Sequence, residues 1–343
     1  MFQDMNIDEL LALRHNREIV TIDVRSPSEF NDATIPGSLN IPFFDDAERA
    51  EIGTIYKQVS VKAAMDRGLE LFSAKLPAFI KQFEQIQGTK AVFCWRGGMR
   101  SRTTATVLAL MGIKVYRLTG GFRTYRRWVV ETLEQFDLKP RPVVLLGNTG
   151  TGKTAILRQL KHEGYPVLDL EGMAGHRGSV FGHVGIKANN QKTFDSLLVT
   201  DLLELQQSPY VLMEGESKRI GKVVLPDFLI SKKEQAMQLF IQLPLEERVR
   251  QIVADYKPQE HKPELIQGYN LIKERIHTPI AKEITMNLET DQFEEAVRLL
   301  LEYYYDPRYE YAMKQYQQEK KIIEANTVIE AVQGVKDFLA NRF

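Results

Sequence analysis

Phe93-Cys94-Trp95-Arg96-Gly97-Gly98-Met99-Arg100-Ser101 holds the single cysteine of a 343-residue chain. The apolar run Ala91-Val92-Phe93 leads into it like a buried strand, and from Arg102 to Met111 apolar residues recur at helical spacing. The cysteine therefore sits at a strand-to-helix turn, where backbone N–H groups converge on one centre. Gly97 and Gly98 are expected to supply the positive-φ geometry that such a cradle needs. Arg96, Arg100 and the N-terminus of the following helix favour negative charge on the sulfur and draw in an anion. A lone cysteine is most often a small buried hydrophobe, but the flanking arginines and glycines argue against that here. The Cys-x5-Arg spacing admits two chemistries. One is phosphate-ester hydrolysis through a phosphocysteine; the other is rhodanese chemistry, with a sulfur-like atom carried as a persulfide. The loop alone leaves both open.

The rest of the chain sets the class. Its length suits two domains of ordinary size, and 43% hydrophobic with 26% charged residues describes a globular chain. The start, Met1-Phe2-Gln3-Asp4, lacks a basic segment followed by an apolar block. No apolar run approaches the roughly 20 residues of a membrane span, so the expected location is the cytoplasm, with no membrane partner. One cysteine excludes an intrachain disulfide framework and a cysteine-rich zinc site, and no metal centre is expected. Forty-five basic residues balance forty-five acidic ones. Between Cys94 and Val130, however, eight Lys or Arg stand with no Asp or Glu. That segment reads either as a polyanion footprint, centred on Arg117, Arg123, Arg126 and Arg127, or as a solvated face.

Along the first half, Ile7, Leu10, Leu11 and Leu13 mark a short helix and Ile19 to Val24 a buried strand. Ser26-Pro27-Ser28-Glu29 is a capping box with proline at the first helical position. Helical patterning fills much of 45–87, and Val115 to Leu118 is another strand. Strands alternating with helices imply a parallel α/β sheet with its site at the carboxyl ends of the strands. Four blocks, in order, resemble a rhodanese domain: Asp23-Val24-Arg25 with Glu29-Phe30, Ile35 to Pro42, the Cys94 loop, and Leu118-Thr119-Gly120-Gly121-Phe122. The resemblance, together with the lack of an evident acid loop, favours rhodanese chemistry over phosphatase chemistry.

Asp137-Leu138-Lys139-Pro140-Arg141-Pro142 reads as a linker. Val143 to Leu146 is then a strand running into Gly147-Asn148-Thr149-Gly150-Thr151-Gly152-Lys153-Thr154, with a helical pattern from Ala155 to His162. That context makes G-x-x-x-x-G-K-T a P-loop, whose backbone wraps a diphosphate, whose Lys153 neutralises it and whose Thr154 can hold Mg2+. Val167 to Glu171 reads as a strand ending in Asp169 and Glu171. The glycine-rich stretch from Gly172 to Gly185, with His176 and Arg177, reads as a mobile lid. Tyr210 to Glu214 is a strand whose Glu214, or the nearby Glu216, would take the acidic role opposite the P-loop. From Pro244 the pattern is helical to Phe343. Within it Tyr303, Tyr304, Tyr305, Tyr309, Tyr311 and Tyr316, near Arg308 and Lys314, would be either helix-packing residues or a base-stacking surface.

With Gly120 to Arg126, Asp169-Leu170-Glu171-Gly172, His176 to Ser179, Glu214-Gly215-Glu216-Ser217 and Tyr305 to Tyr309 added, the chain resembles the bacterial tRNA 2-selenouridine synthase family over essentially its whole length. The expected architecture is a rhodanese-like parallel-sheet domain over 1–137, a P-loop α/β core over 138–245, and a helical region over 246–343. The resemblance implies a transferase that converts wobble 2-thiouridine of tRNA to 2-selenouridine. It also implies geranyl diphosphate and selenophosphate as co-substrates, and the selenophosphate-producing enzyme as a partner. Geranyl transfer to the sulfur would come first, at Gly147 to Thr154. Selenium delivery would follow at Cys94, Arg96 and Arg100. A rhodanese-type sulfurtransferase coupled to an ATP-dependent kinase-like domain is the competing reading.

Overall fold

Each strand of the first sheet is short and followed by a helix whose start is written locally. Asn6 and Glu9 cap α1 (Ile7–His15) reciprocally, and Pro27 opens α2 (Pro27–Asp32). Asp45 and Glu48 form the same box at α3 (Asp46–Gln58). The computed structural model describes residues 2–308 and 320–343. The chain divides into two units, Met1–Gln135 with Asp195–Leu197, and Phe136–Phe194 with Leu198–Phe343.

The first unit has β1 (Gln3–Met5), β2 (Ile19–Asp23), β3 (Leu39–Asn40), β4 (Thr89–Phe93) and β5 (Val115–Leu118). They form one parallel sheet in the order β1-β5-β4-β2-β3. The helices α4 (Val61–Glu84), α5 (Met99–Leu110) and α6 (Gly121–Glu134) complete the unit. The central strands are buried on both faces, which is why Ala91-Val92-Phe93 is uniformly apolar. Phe43 stacks on Phe72 at 3.7 Å, and Phe79 and Phe83 extend the aromatic core. Asp23 pairs in register with Phe93, so the loops after β2 and β4 leave the same carboxyl edge, and Cys94 lies on it.

The second unit is built on β6 (Arg141–Leu146), β7 (Val167–Leu168), β8 (Tyr210–Glu214), β11 (Met237–Gln242) and β12 (Lys320–Glu324). These form a parallel sheet ordered β12-β11-β6-β8-β7. A small antiparallel pair, β9 (Arg219–Ile220) and β10 (Val223–Val224), lies outside it. The helices are α7 (Lys153–His162), α8 (Leu170–Ala174), α9 (Gln191–Leu205), α10 (Asp227–Glu234), α11 (Leu245–Tyr256), α12 (Pro258–Asn270), α13 (Thr278–Glu289), α14 (Phe293–Leu300) and α15 (Val328–Arg342). Val143, Leu145, Ile156, Leu160, Leu212 and Val335 are among the residues of the core beneath the P-loop. A second core joins Phe181, Tyr269, Ile284, Phe293 and Leu300.

Two segments differ from the sequence reading. The stretch expected as a strand to Glu171 is a strand only over Val167–Leu168. Asp169 then accepts the Gly172 N–H at 2.7 Å and caps α8, so a local side-chain bond turns the chain out of the sheet. The C-terminal region is mostly helical, but β12 returns to the sheet edge beside β11, with Phe240 opposite Ile322. Its apolar Ile322-Ile323 pair lies between lysines and glutamate, a pattern too short to separate from helix by periodicity. Among the described residues no helix is long and apolar enough to cross a membrane.

Candidate functional site

Cys94 follows β4 directly and is 4% exposed, its Sγ 3.2 Å from Ser101 Oγ on the first turn of α5. The loop's shape rests on glycines from two places. Gly97 has φ +64° and Gly121 φ +61°. A Cβ on Gly121 would lie 2.2 Å from the Cys94 carbonyl oxygen and 2.5 Å from Gly97 N, so the two turns touch backbone to backbone. Phe122 N–H donates to Cys94 O at 2.8 Å and Arg123 N–H to Trp95 O at 2.9 Å, which pins the loop from behind. Gly98, expected to share the left-handed geometry, instead has φ −88° and caps α5. One left-handed residue is enough to aim the first-turn N–H groups of α5.

The arginines separate into two kinds. Arg100 is engaged by Glu29, Nη1 to Oε2 at 2.5 Å. Arg117 donates from Nε and Nη2 to the Asp4 carboxylate at 2.6 and 2.7 Å and from Nη1 to Gly97 O at 3.0 Å. Arg117 therefore braces the loop through Asp4 and the Gly97 carbonyl. The sequence window contained no acid because Asp4 and Glu29 arrive from other elements. Arg126 is half-buried, whereas Arg96, Arg123 and Arg127 are exposed. Sequence reading gave no role to the buried Asp23–Arg25 pair, bonded at 2.6 Å. Thr34 also donates to Asp23, and Arg25 donates to Ala33 O and lies 4.3 Å over the Phe122 ring. It ties the β2 loop to the β5–α6 turn, which is why those blocks occur together.

In the second unit, Gly147-Asn148-Thr149-Gly150-Thr151-Gly152-Lys153-Thr154 joins β6 to α7, with positive φ at Gly147, Gly150 and Gly152. Lys153 Nζ donates to Gly147 O at 2.8 Å and Asn148 O at 3.3 Å, folded back into the loop where an anion would compete for it. Thr154 Oγ1 donates to Glu171 Oε2 at 2.6 Å. A cleft of about 1100 Å³ opens over the loop, with Lys153, Thr154, Glu171, Arg177 and Glu216 among its lining.

The six candidate acidic and lid residues divide evenly. Glu171, Arg177 and Glu216 line the cleft. Asp169 caps α8; Glu214 is 1% exposed and accepts the Leu170 N–H at 3.1 Å; the His176 ring is packed against Gly182 and Gly221. Burial pushes the Glu171 carboxyl up to about 7, and the neighbouring Glu216 adds to the rise. Burial likewise holds Glu214 well above the usual range, with Asp169 and Glu171 contributing like charge. Lys233 donates to the Glu216 carbonyl, and burial lowers its ammonium.

The P-loop motif implies Mg2+, and the residues fit it in part. Thr154 hydroxyl and Glu171 carboxylate touch, and two carboxylates crowded together are what a divalent cation relieves. Among the described residues no group of three or more His, Cys, Asp or Glu could hold a metal alone. Mg2+ would then take its remaining ligands from a bound diphosphate and water.

The stretch after α8 is tied to the helical region. Arg177 donates to Val184 O at 2.9 Å and Asp255 O at 3.1 Å and lies 4.6 Å over Tyr256. Ser179 Oγ meets Tyr256 Oη at 3.1 Å, and Gly185 N–H donates to Glu264 at 3.1 Å. One residue missed in the sequence is Arg248, 5% exposed on α11. It donates to Thr149 O at 2.9 Å and binds Asp306 in a two-pronged pair at 2.6 and 2.9 Å. Asn148 also donates to Asp306, at 3.2 Å. The proximity of Asp306 to the P-loop could not be read from a separation of over 150 residues. Of the tyrosines, Tyr304 is buried under Arg308, Tyr305 lines the cleft, and Tyr303 is exposed. Tyr309, Tyr311, Lys314 and Tyr316 lie outside the described residues.

The family comparison follows the two units. Residues 6–128 match the rhodanese-like domain, and residues 140–282 match the tRNA 2-selenouridine synthase AAA domain. The chain is 36% identical to the tRNA 2-selenouridine synthase of Nitrosomonas europaea over 264 residues, 74% of this chain and 67% of that protein. It is 32% identical to the synthase of Bordetella petrii, covering 86% and 87% of the two chains, and 30% identical to that of Psychromonas ingrahamii, covering 88% of each. Both recognisable domains, in this order, with 67% to 88% of the length of those relatives covered, place the chain in the tRNA 2-selenouridine synthase family.

Proposed function

We propose that the chain replaces sulfur by selenium at wobble 2-thiouridine of tRNA in two steps, one at each centre. In the first, the 2-thiouridine sulfur attacks C1 of geranyl diphosphate. A C–S bond forms as the C–O bond breaks, and pyrophosphate leaves with the electron pair. In the second, the selenium of selenophosphate, held in the anion loop around Cys94, attacks C2 of the base; the C–S bond breaks, geranylthiolate leaves with the electron pair, and water then cleaves the Se–P bond to release phosphate. The observation that carries the reading is the P-loop cradle, with Lys153 folded onto Gly147 and Asn148 carbonyls beside Glu171 and Arg177. Lys153 and the loop N–H groups stabilise charge that develops on the departing pyrophosphate, where preorganised donors accelerate reaction. Arg96, Arg123 and Arg127, exposed in the first unit, supply its contact with tRNA phosphates.

Mass spectrometry of tRNA digests separates the steps. Cys94→Ser should accumulate S-geranyl-2-thiouridine without selenouridine. Lys153→Ala should fail to geranylate, yet convert tRNA supplied already geranylated. Normal selenouridine from Cys94→Ser would remove the cysteine from the mechanism, and robust tRNA-stimulated ATP hydrolysis would favour a kinase-like P-loop.

A further inference from the structure

We propose that an apolar pocket opening beside the P-loop is the seat of the hydrocarbon chain of the isoprenoid diphosphate, and that it sets which diphosphate the second unit accepts. This rests on the assignment of a prenyl diphosphate to the P-loop and adds where its tail goes. The space between its lining atoms is about 630 Å³, open solvent at its mouth included. Its walls include Ile252, Leu265, Phe293, Ala296 and Leu300, from α11, α12 and α14. The lining is apolar apart from a few hydroxyls. A ribose or purine lodged there would leave its polar groups unpaired, a cost a hydrocarbon does not incur.

Position supplies the second argument. Thr149, Ser179, Ile252, Tyr256 and Tyr305 line both this pocket and the polar cleft over the P-loop. The two spaces therefore meet along one rim, and a diphosphate on Lys153 has an apolar compartment within reach. Tyr256 divides the functions of that rim, because Arg177 covers its ring while its hydroxyl meets Ser179. The chain also departs from regular helix at this place. Leu301–Tyr305 is one wide π-helical turn after α14, and Leu301 and Tyr305 both line the pocket. Such turns are rare and concentrate at functional sites. From the other side Phe181, brought by the stretch after α8, packs against Gly268, where an added Cβ would lie 2.8 Å from its ring. The pocket is thus roofed by the same segment that carries Arg177 to the diphosphate.

Calorimetric titration of the full chain with inorganic pyrophosphate, dimethylallyl diphosphate and geranyl diphosphate, in Mg2+, tests this without tRNA. Affinity should rise along the series, with geranyl diphosphate at least about 30-fold tighter than pyrophosphate and a more negative heat-capacity change. Ala296→Trp, which fills the pocket away from the P-loop, should cut geranyl diphosphate affinity at least about tenfold and leave pyrophosphate affinity unchanged. Equal affinity for pyrophosphate and geranyl diphosphate in the wild-type chain would overturn the tail pocket while leaving the diphosphate cradle standing. Failure of both ligands to bind would overturn the cradle and, with it, the pocket. If Ala296→Trp does not fold, the wild-type series decides alone.

Discussion

Arg248→Lys should loosen the P-loop without removing a charge. The guanidinium donates from Nε to Thr149 O and from Nη1 and Nη2 to Asp306. A lysine ammonium has no fixed fork and can hold at most one of these acceptors in good geometry. Two hydrogen bonds are therefore lost, each worth about 1.5–3 kcal/mol when a charged group takes part. Asp306 retains 22% side-chain exposure, so water compensates in part, and the lower end applies, about 3 kcal/mol in all. For a unit of this size that corresponds to a melting temperature lower by roughly 6–12 °C. Because Thr149 loses its tether, the loop must be ordered by ligand, and pyrophosphate affinity should fall about tenfold, or 1.4 kcal/mol. Differential scanning calorimetry and titration with pyrophosphate measure the two effects. A double-mutant cycle with Asp306→Asn should give a coupling of about 1.5 kcal/mol or more. Wild-type melting and wild-type affinity in Arg248→Lys would refute the view that α11 and Asp306 hold the loop.

Three other outcomes follow from the geometry. Glu171 is protonated more readily folded than unfolded, so between pH 4.5 and about 7 the folded state binds the extra proton and stability falls as pH rises; Glu171→Gln should flatten that slope, with a gain of at most about 3 kcal/mol near pH 8, read from urea unfolding at several pH values. Gly121→Ala puts a Cβ 2.2 Å from the Cys94 carbonyl at φ +61°, so it should destabilise the first unit by about 2 kcal/mol or more and abolish selenouridine formation before geranylation, as digests of product tRNA would reveal. Arg123→Glu with Arg127→Glu should weaken tRNA binding at least about tenfold in a filter assay, with a shallower salt dependence, and unchanged binding would move the footprint elsewhere.

Local chemistry was enough to locate both strand-to-helix loops. Ala91-Val92-Phe93 before Cys94 and Val143 to Leu146 before Gly147 are runs that only buried parallel strands make worthwhile, and each ends in glycines that a tight loop requires. Those signals lie within a few residues of the atoms they position, so they survive in one dimension. Pairing does not. The window around Arg117 looked unopposed because its acid, Asp4, stands 113 residues earlier and reaches it only through the pairing of β1 with β5. Glu171 was placed on a strand because its segment is apolar, whereas a side-chain bond from Asp169 made a short helix and brought Glu171 onto Thr154. Lys320 to Glu324 carried no decisive period and became a strand because the edge of β11 offered it a ladder of hydrogen bonds. The brace of Arg248 on Thr149 and the pocket shared by α11, α12 and α14 follow from helix packing. The sequence by itself determined the two loops and the groups they present, because bond geometry and burial act on neighbours. Only the tertiary structure decided which charges are spent on each other and which remain for a ligand, because that depends on residues brought together from far along the chain.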